Sequence, residues 1–231
     1  MYLWLLLSLM FCVLVHEIYD IIKIVKFRKI FIQKNQIDIS AIKLHSVFVE
    51  FLKRLFDIIV SLLVCLTILP LLYLILGAII KLTSSGPIIF RQKRIGIYGH
   101  RFVCYKFRSM YENSIDRLAI KGDERVTPVG KFIRKTHLDE FPQFYNVLIG
   151  DMSIVGPRPT IRLVVEGLNN HPKYIYRELV RPGITGLSQI NGRPDTQEKM
   201  IEFDFEYLRS QSLWKDLTLI FKTLQFKDES F

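Results

Sequence analysis

The chain has 231 residues, half of them hydrophobic, and a mean hydropathy of +0.24, which is more apolar than an ordinary soluble domain. Its net charge of +10 favours anionic partners, namely lipid headgroups, phosphorylated ligands or nucleic acid. The cysteines Cys12, Cys65 and Cys104 form no Cys-x-x-Cys pair, so they support neither a disulfide framework nor a zinc site and fit a reducing location that faces the cytosol.

The N-terminal stretch MYLWLLLSLMFCVLV carries no charge, and the apolar pattern continues until a basic stretch begins at Lys26. It predicts an N-terminal membrane anchor over residues 1–32 whose C-terminal end lies in the cytosol. A cleaved signal peptide is disfavoured, because a basic leading region and a small-residue cleavage site are missing. The polar residues 33–50 are predicted to be a linker.

A second apolar stretch, from Ile58 to Ile80, carries no charge and is long enough, at about 1.5 Å per residue, to cross a bilayer core of roughly 30 Å. Basic residues follow it as well as precede it, and such residues collect on the cytoplasmic side. Pro70, near its middle, would bend a helix. We therefore predict a re-entrant membrane helix hairpin over residues 51–85, with a kinked spanning helix as the alternative.

Residues 86–231 are predicted to form a cytosolic domain. The β-rich segments PIIFRQKRIG and RFVCYKFRSM flank IYGH and indicate a β-hairpin, and helices are predicted over residues 129–149, 160–170 and 200–226. The last helix is amphipathic, so it can lie along a membrane surface or pack against the core. The expected fold class is α+β and membrane-associated: a re-entrant helix hairpin plus a small, mostly helical cytosolic domain with a short β-hairpin and interfacial amphipathic helices.

Two adjacent carboxylates stand out in KTHLDEFPQF, residues 135–144: Asp139 and Glu140, just before Pro142. Because proline is tolerated in the first turn of a helix, a helix should begin or kink within residues 138–142. Free N–H groups there keep carboxylates ionised and attract phosphate. Adjacent helical residues diverge by about 100°, so one carboxylate could attack a ligand while the other holds a metal. The alternative is that both merely stabilise the helix.

Two glycine- and proline-rich segments carry arginines suited to phosphate. In GDMSIVGPRP, residues 150–159, two prolines stiffen the backbone around Arg158, and in VRPGITGLSQINGR, residues 180–193, Arg181 and Arg193 bracket three glycines. Each segment alone is typical of a surface loop. Together with the carboxylate pair they predict a cytosolic phosphate-handling site beside a membrane segment.

Four motifs occur in the order found in the monotopic bacterial phosphoglycosyl transferases, the bacterial sugar transferase family: KRLFDI, YKFRSM, LDEFPQFYNVLIGDMSIVGPRP and VRPGITGLSQINGR. The chain resembles this family over about residues 50–226. The resemblance implies transfer of a sugar-1-phosphate from a UDP-sugar to undecaprenyl phosphate, with release of UMP. Such a reaction would initiate the synthesis of exopolysaccharide, capsule, O-antigen or a glycoprotein glycan, and residues 86–231 would be its catalytic domain.

The resemblance also implies roles for individual residues. Asp139 would be the nucleophile that forms a covalent phospho-sugar intermediate, and Glu140 would be a ligand of the cofactor Mg²⁺. Phosphate-binding roles are predicted for five basic residues: Arg158, Lys106, Arg134, Arg181 and Arg193.

The sequence departs from the family pattern at the membrane hairpin, where Leu69, in place of the common serine, precedes Pro70. The hairpin break must therefore rest on Pro70, with the Thr67 hydroxyl as a candidate helper. A second departure is Leu187, at a position where many members carry tryptophan.

The implied location is the bacterial cytoplasmic membrane, with the catalytic domain facing the cytosol, and a homo-oligomer is compatible with the sequence. Two other functions stay open: a membrane-bound Mg²⁺-dependent nucleotide-sugar pyrophosphatase and a non-catalytic membrane scaffold. A nucleic-acid partner is not expected, because the basic residues flank membrane segments and phosphate loops rather than a reader helix.

Overall fold

The computed structural model describes residues 2–111, 122–161, 171–192 and 196–225. Within these ranges the chain forms α-helices, short 3-10 helices and two separate two-stranded sheets. The helices are α1 (Tyr2–Lys34), α2 (Val47–Leu66), α3 (Ile68–Thr83), α4 (Pro128–Lys135), α5 (Gln143–Leu148), α6 (Leu187–Ile190), α7 (Gln197–Ser210) and α8 (Leu213–Gln225). The strands are β1 (Ile89–Ile95), β2 (Arg101–Phe107), β3 (Ser153–Val155) and β4 (Gly183–Thr185).

Helices α2 and α3 form a bent pair whose axes differ by 45°. In the described ranges no single helix has the length and apolarity to cross a membrane, but this pair passes that test jointly. The bend lies at Thr67, whose hydroxyl donates to the Leu63 carbonyl at 2.6 Å. Pro70 lies in the first turn of α3, where a missing N–H is tolerated. The break is therefore three residues ahead of Pro70, and the re-entrant path stays a prediction.

The N-terminal end of α2 is fastened to the rest of the protein by buried polar groups. The Arg54 guanidinium is 3% exposed and donates to the carbonyls of Val147 and Leu148 at 2.6 and 3.0 Å. These carbonyls end α5 and would otherwise lack partners. Asp57, one turn further along α2, accepts a hydrogen bond from the Ile154 amide of β3 at 3.0 Å. These buried hydrogen bonds of Arg54 and Asp57 therefore form a polar joint, which connects the predicted membrane segment with the predicted catalytic domain.

Helix α1 contacts the same joint. Glu17 pairs with Arg54 at 2.9 Å, and Arg28 pairs with Glu50 in the first turn of α2. The Tyr98 hydroxyl, in the turn between β1 and β2, donates to the Ile24 carbonyl at 3.0 Å. The segment predicted to be an anchor is therefore held by specific contacts at its C-terminal half.

Strands β1 and β2 form the predicted hairpin. They pair antiparallel from Ile89 opposite Phe107 to Ile95 opposite Arg101. Tyr98 and Gly99 turn the chain with φ of 53° and 73°, the left-handed region. The buried Phe102 and Cys104 of β2 then contribute to the main core. The hairpin prediction is confirmed.

The main core lies between β2, α5, the β3–β4 sheet and the C-terminal helices, and it includes Val147, Met152 and Leu208.

Strands β3 and β4 are parallel, and the start of β4 comes very close to the segment that follows β3. A Cβ added to Gly183 would lie 2.1 Å from the Gly156 nitrogen, so a side chain there has no room. Gly183 therefore allows the close approach of two backbone segments.

Two predicted helices are interrupted. The helix predicted over residues 129–149 is divided into α4, a 3-10 turn at Leu138–Glu140 and α5, and the helix predicted over 200–226 is divided into α7 and α8. The helix predicted over 160–170 falls mostly on residues 162–170, outside the described ranges. The expectation of a small mixed fold, mostly helical with a short sheet, is confirmed.

A buried ion pair fixes α7 against the 3-10 helix Tyr174–Leu179. The Nε of Arg177 lies 2.7 Å from Oδ2 of Asp204, and the two side chains are 5% and 1% exposed. Removing one partner of such a pair leaves a buried charge and typically costs about 3–5 kcal/mol. We expect Asp204→Ala to lower the free energy of unfolding by that amount, as measured by denaturant titration in detergent.

Glu202, on the same helix, offers a matched control, because its pair with Lys173 is exposed. Glu202→Gln should cost less than about 1 kcal/mol. Equal losses for the two variants would contradict a structural role for the buried pair.

Candidate active site

Asp139 and Glu140 lie on the 3-10 turn Leu138–Glu140, between α4 and α5. Helix α4 begins at Pro128 after the N-cap Thr127, whose hydroxyl accepts from the Gly130 amide at 2.8 Å. After α4 the backbone reverses at His137, which has a left-handed φ of 56°. Pro142 then immediately precedes α5. The predicted kink within residues 138–142 is confirmed, and both carboxylate side chains are buried.

Glu140 is in contact with two cations from other elements. Its Oε1 accepts from Lys106 Nζ of β2 at 2.5 Å and from Arg158 Nη2, in the loop after β3, at 3.1 Å. These two cations offset the negative charge of the buried carboxylate. The side chains of Lys106 and Arg158 keep 17% and 25% exposure, so a ligand can still reach them.

Arg158 is under the influence of both carboxylates. Its pKa is raised above the ordinary arginine value mainly by the charge of Glu140, with a smaller contribution from Asp139. The guanidinium therefore stays charged in spite of its partial burial. The site combines two carboxylates and two cations within one small region.

Two arginines that sequence reasoning missed hold the loop that carries Arg158. Arg177 Nη2 donates to the Arg158 carbonyl at 2.7 Å, and Arg94 Nη1 donates to the Pro159 carbonyl at 2.8 Å. Neither lies in a glycine- or proline-rich motif, and neither is near the loop in sequence. Their positions follow from tertiary contacts alone, so no sequence pattern could have indicated them.

The remaining predicted phosphate ligands have other contacts as well. Arg134, in the last turn of α4, donates from Nε to the Ser109 hydroxyl at 2.7 Å. Arg181 donates from Nε to the Gly150 carbonyl at 2.9 Å and lines a second cavity with Lys53 and Arg54. Burial and the nearby Arg54 charge lower the pKa of Arg181. Arg193 lies outside the described residues. Lys106 and Arg158 are thus among the five predicted ligands in contact with Glu140.

The carboxylate pair is suited to a metal only together with a ligand. In the described part of the chain no group of three or more His, Cys, Asp or Glu side chains could hold a metal ion. Mg²⁺ usually binds one or two protein carboxylates plus phosphate oxygens and water. Glu140, the predicted Mg²⁺ ligand, could therefore hold the ion only if a phosphorylated substrate and water supplied the other ligands.

A buried carboxylate pair opposed by Lys106 and Arg158 is the kind of site that binds and transfers phosphoryl groups. The bacterial sugar transferase family model matches residues 48–227, so the chain belongs to this family.

Three curated relatives illustrate the match. The chain is 50% identical over 189 residues to the UDP-glucose:undecaprenyl-phosphate glucose-1-phosphate transferase of Klebsiella pneumoniae, a match that covers 74% of this chain and 39% of that protein. It is 44% identical to the UDP-N-acetylgalactosamine-undecaprenyl-phosphate N-acetylgalactosaminephosphotransferase of Aeromonas hydrophila, covering 79% and 45%. The exopolysaccharide production protein ExoY of Sinorhizobium fredii is 38% identical, covering 74% and 83%. The chain therefore spans about two-fifths of the length of the first two relatives.

Proposed function

We propose that the protein transfers a sugar-1-phosphate from a UDP-sugar to undecaprenyl phosphate, as an early step in building a bacterial surface polysaccharide or a glycoprotein glycan. The observation that carries this proposal is the contact of Glu140 with Lys106 and Arg158 beside Asp139. The names of the relatives support it, since they include undecaprenyl-phosphate transferases of glucose and of N-acetylgalactosamine. Because those sugars differ, the proposal covers the donor class and not one sugar.

In the proposed first step, a carboxylate oxygen of Asp139 attacks the β-phosphorus of the UDP-sugar. The bond between that phosphorus and the oxygen that bridges to the α-phosphate breaks, and UMP leaves with the bridging oxygen and the electron pair. Asp139 then carries the phospho-sugar. Lys106 and Arg158, which both contact Glu140, would stabilise the charge on the phosphoryl oxygens.

In the proposed second step, a phosphate oxygen of undecaprenyl phosphate attacks the same phosphorus. The bond to the Asp139 oxygen breaks, so the carboxylate is restored and undecaprenyl diphosphate sugar is formed. Glu140 would hold Mg²⁺ in this site, and the ion would neutralise part of the diphosphate charge. Burial of both carboxylates limits competition by water for the phospho-sugar.

We further propose that the protein acts at the bacterial cytoplasmic membrane, with the catalytic domain on the cytosolic side. The bent α2–α3 pair exposes large apolar side chains, such as Leu66 and Leu74 at 69% and 70%. Helix α8 exposes Trp214, Phe221 and Leu224 at 78%, 67% and 80%. Groups of exposed large apolar side chains such as these are typical of surfaces that contact lipid or another protein.

The re-entrant path can be tested by labelling single cysteines in a cysteine-free background. Ser46 and Ser85 flank the α2–α3 pair and are exposed. We expect Ser46→Cys and Ser85→Cys both to react with an impermeant maleimide in inverted vesicles and not in intact spheroplasts, with Ser210→Cys as the cytosolic control. Labelling of Ser85→Cys from the outside would mean that the pair spans the membrane.

The transfer itself can be tested by UMP release from detergent-solubilised protein given Mg²⁺, undecaprenyl phosphate and a panel of UDP-sugars. We expect lipid-dependent UMP release with at least one donor, and none above background for Asp139→Asn, because the amide is a poor nucleophile. The exposed Asp38 provides a control, and Asp38→Asn should keep full activity.

Three outcomes would contradict the proposal. Lipid-independent release of UMP with free sugar phosphate would favour the pyrophosphatase, and wild-type protein inert toward every donor would favour the scaffold. Full activity of Asp139→Asn would exclude Asp139 as the nucleophile.

The role of the cations gives a separate prediction. Lys106→Met should lower kcat roughly 10²–10³-fold, the usual loss when one charge-stabilising donor is removed from a transition state. Lys93→Met, on the neighbouring strand and exposed, should retain normal kinetics. A change in KM with an unaltered kcat would mean that Lys106 contributes only to binding.

A further inference from the structure

A small surface cleft adjoins the candidate active site. Its walls come from three elements that are distant in sequence: the end of β1 with the hairpin turn, the loop that carries Arg158, and the 3-10 helix Tyr174–Leu179. Among the lining residues are Gly96, Arg158, Thr160, Tyr174, Arg177 and Glu178. None of the functions assigned above uses this cleft.

Arg158 connects the cleft with the carboxylate pair. The Arg158 guanidinium donates to Glu140 at 3.1 Å, and Arg158 is also among the residues that line the cleft. The cleft and the carboxylate pair therefore share one residue. This makes the cleft a candidate for the part of the substrate that lies next to the reacting phosphorus.

Glu178 is the unexplained polar group in this cleft. Its carboxylate is half-buried, and in the described ranges it has neither a hydrogen bond nor an ion pair. One oxygen lies against the hairpin turn, 3.2 Å from where a Cβ of Gly99 would be. Burial raises the pKa of Glu178 to about 7, with the charge of Arg177 opposing the shift. An unpaired, partly desolvated carboxylate is unfavourable, so a ligand that donates hydrogen bonds would stabilise it.

The size and charge of the cleft limit what it can take. The cleft is small, so it is suited to one part of a nucleotide sugar and not the whole. A carboxylate repels phosphate, whereas hydroxyl groups are hydrogen-bond donors that it accepts. The buried hydroxyls of Thr160 and Tyr174, 3.1 Å apart, add groups that can donate or accept.

We propose that this cleft binds the sugar ring of the donor and that Glu178 accepts hydrogen bonds from its hydroxyl groups, which makes Glu178 a specificity-determining residue. The inference rests on the proposed function. The cleft is assigned to the hexose and not to the ribose of UMP, because the hexose is bonded through one oxygen to the phosphorus that Asp139 attacks. The ribose lies one phosphate further away.

The test uses Glu178→Gln, which keeps the shape of the side chain and removes its charge. A hydrogen bond to a charged group contributes about 1.5–3 kcal/mol, so we expect KM for the preferred UDP-sugar to rise roughly 10- to 100-fold. The preference between UDP-glucose and UDP-galactose, which differ in the orientation of one hydroxyl, should also change, while kcat changes less than about threefold. Glu202→Gln, on the surface, is the matched control.

Binding to an Asp139→Asn background separates this inference from the proposed function, because it needs no turnover. Calorimetry should show that the double variant, Asp139→Asn with Glu178→Gln, binds the UDP-sugar more weakly than Asp139→Asn alone does. UMP should bind equally to both proteins. Equal weakening of UMP would place the nucleoside in the cleft and overturn the sugar assignment. Unchanged binding of UDP-sugar would overturn the role of Glu178. If the UDP-sugar and UMP bind as expected but the wild-type protein transfers no sugar phosphate, the proposed function alone would be contradicted.

Discussion

The structure depends on Arg54, a charged side chain that is almost fully buried where α2 meets the rest of the protein. A buried guanidinium is tolerated only if its donors are satisfied, and here they are divided between Glu17 of α1 and the carbonyls of Val147 and Leu148. Those carbonyls end α5, a helix of six residues whose other end follows the turn that carries Asp139 and Glu140. One side chain thus links the predicted membrane segment, the N-terminal helix and the helix beside the carboxylate pair.

The carboxylate turn itself depends on charge balance. Asp139 and Glu140 are both buried, and two adjacent buried carboxylates are unfavourable without cations. Lys106 and Arg158 supply them from a hairpin and from a loop, and the loop is in turn held by Arg94 and Arg177. Because Arg177 is fixed by the buried Asp204, the position of Arg158 is connected through one chain of contacts to α7. The chemistry of the site therefore depends on residues far from it in sequence.

The features that sequence reasoning predicted are those that local rules decide. Proline geometry placed a break near Pro142, and β-branched and aromatic residues placed the hairpin. The same rules could not place Arg94, Arg177 or Glu178, because their roles depend on which distant segments meet. They also gave Arg181 a phosphate-binding role, whereas its side chain lines a different cavity behind α2.

Helix α1 lies entirely outside the residues that match the family, which begin at residue 48. It nevertheless supplies Glu17 to Arg54 and Arg28 to Glu50, so each side of the junction contributes one cation and one anion. A chain reduced to the family module would keep Arg54 and Glu50 but lose both of their charged partners. The N-terminal helix therefore supplies the charges that neutralise Arg54 and Glu50. A homologue that lacks this helix would need other groups of the same charges at this junction. Replacing α1 by a different helix would require one that carries an acid and a base at the spacing of Glu17 and Arg28.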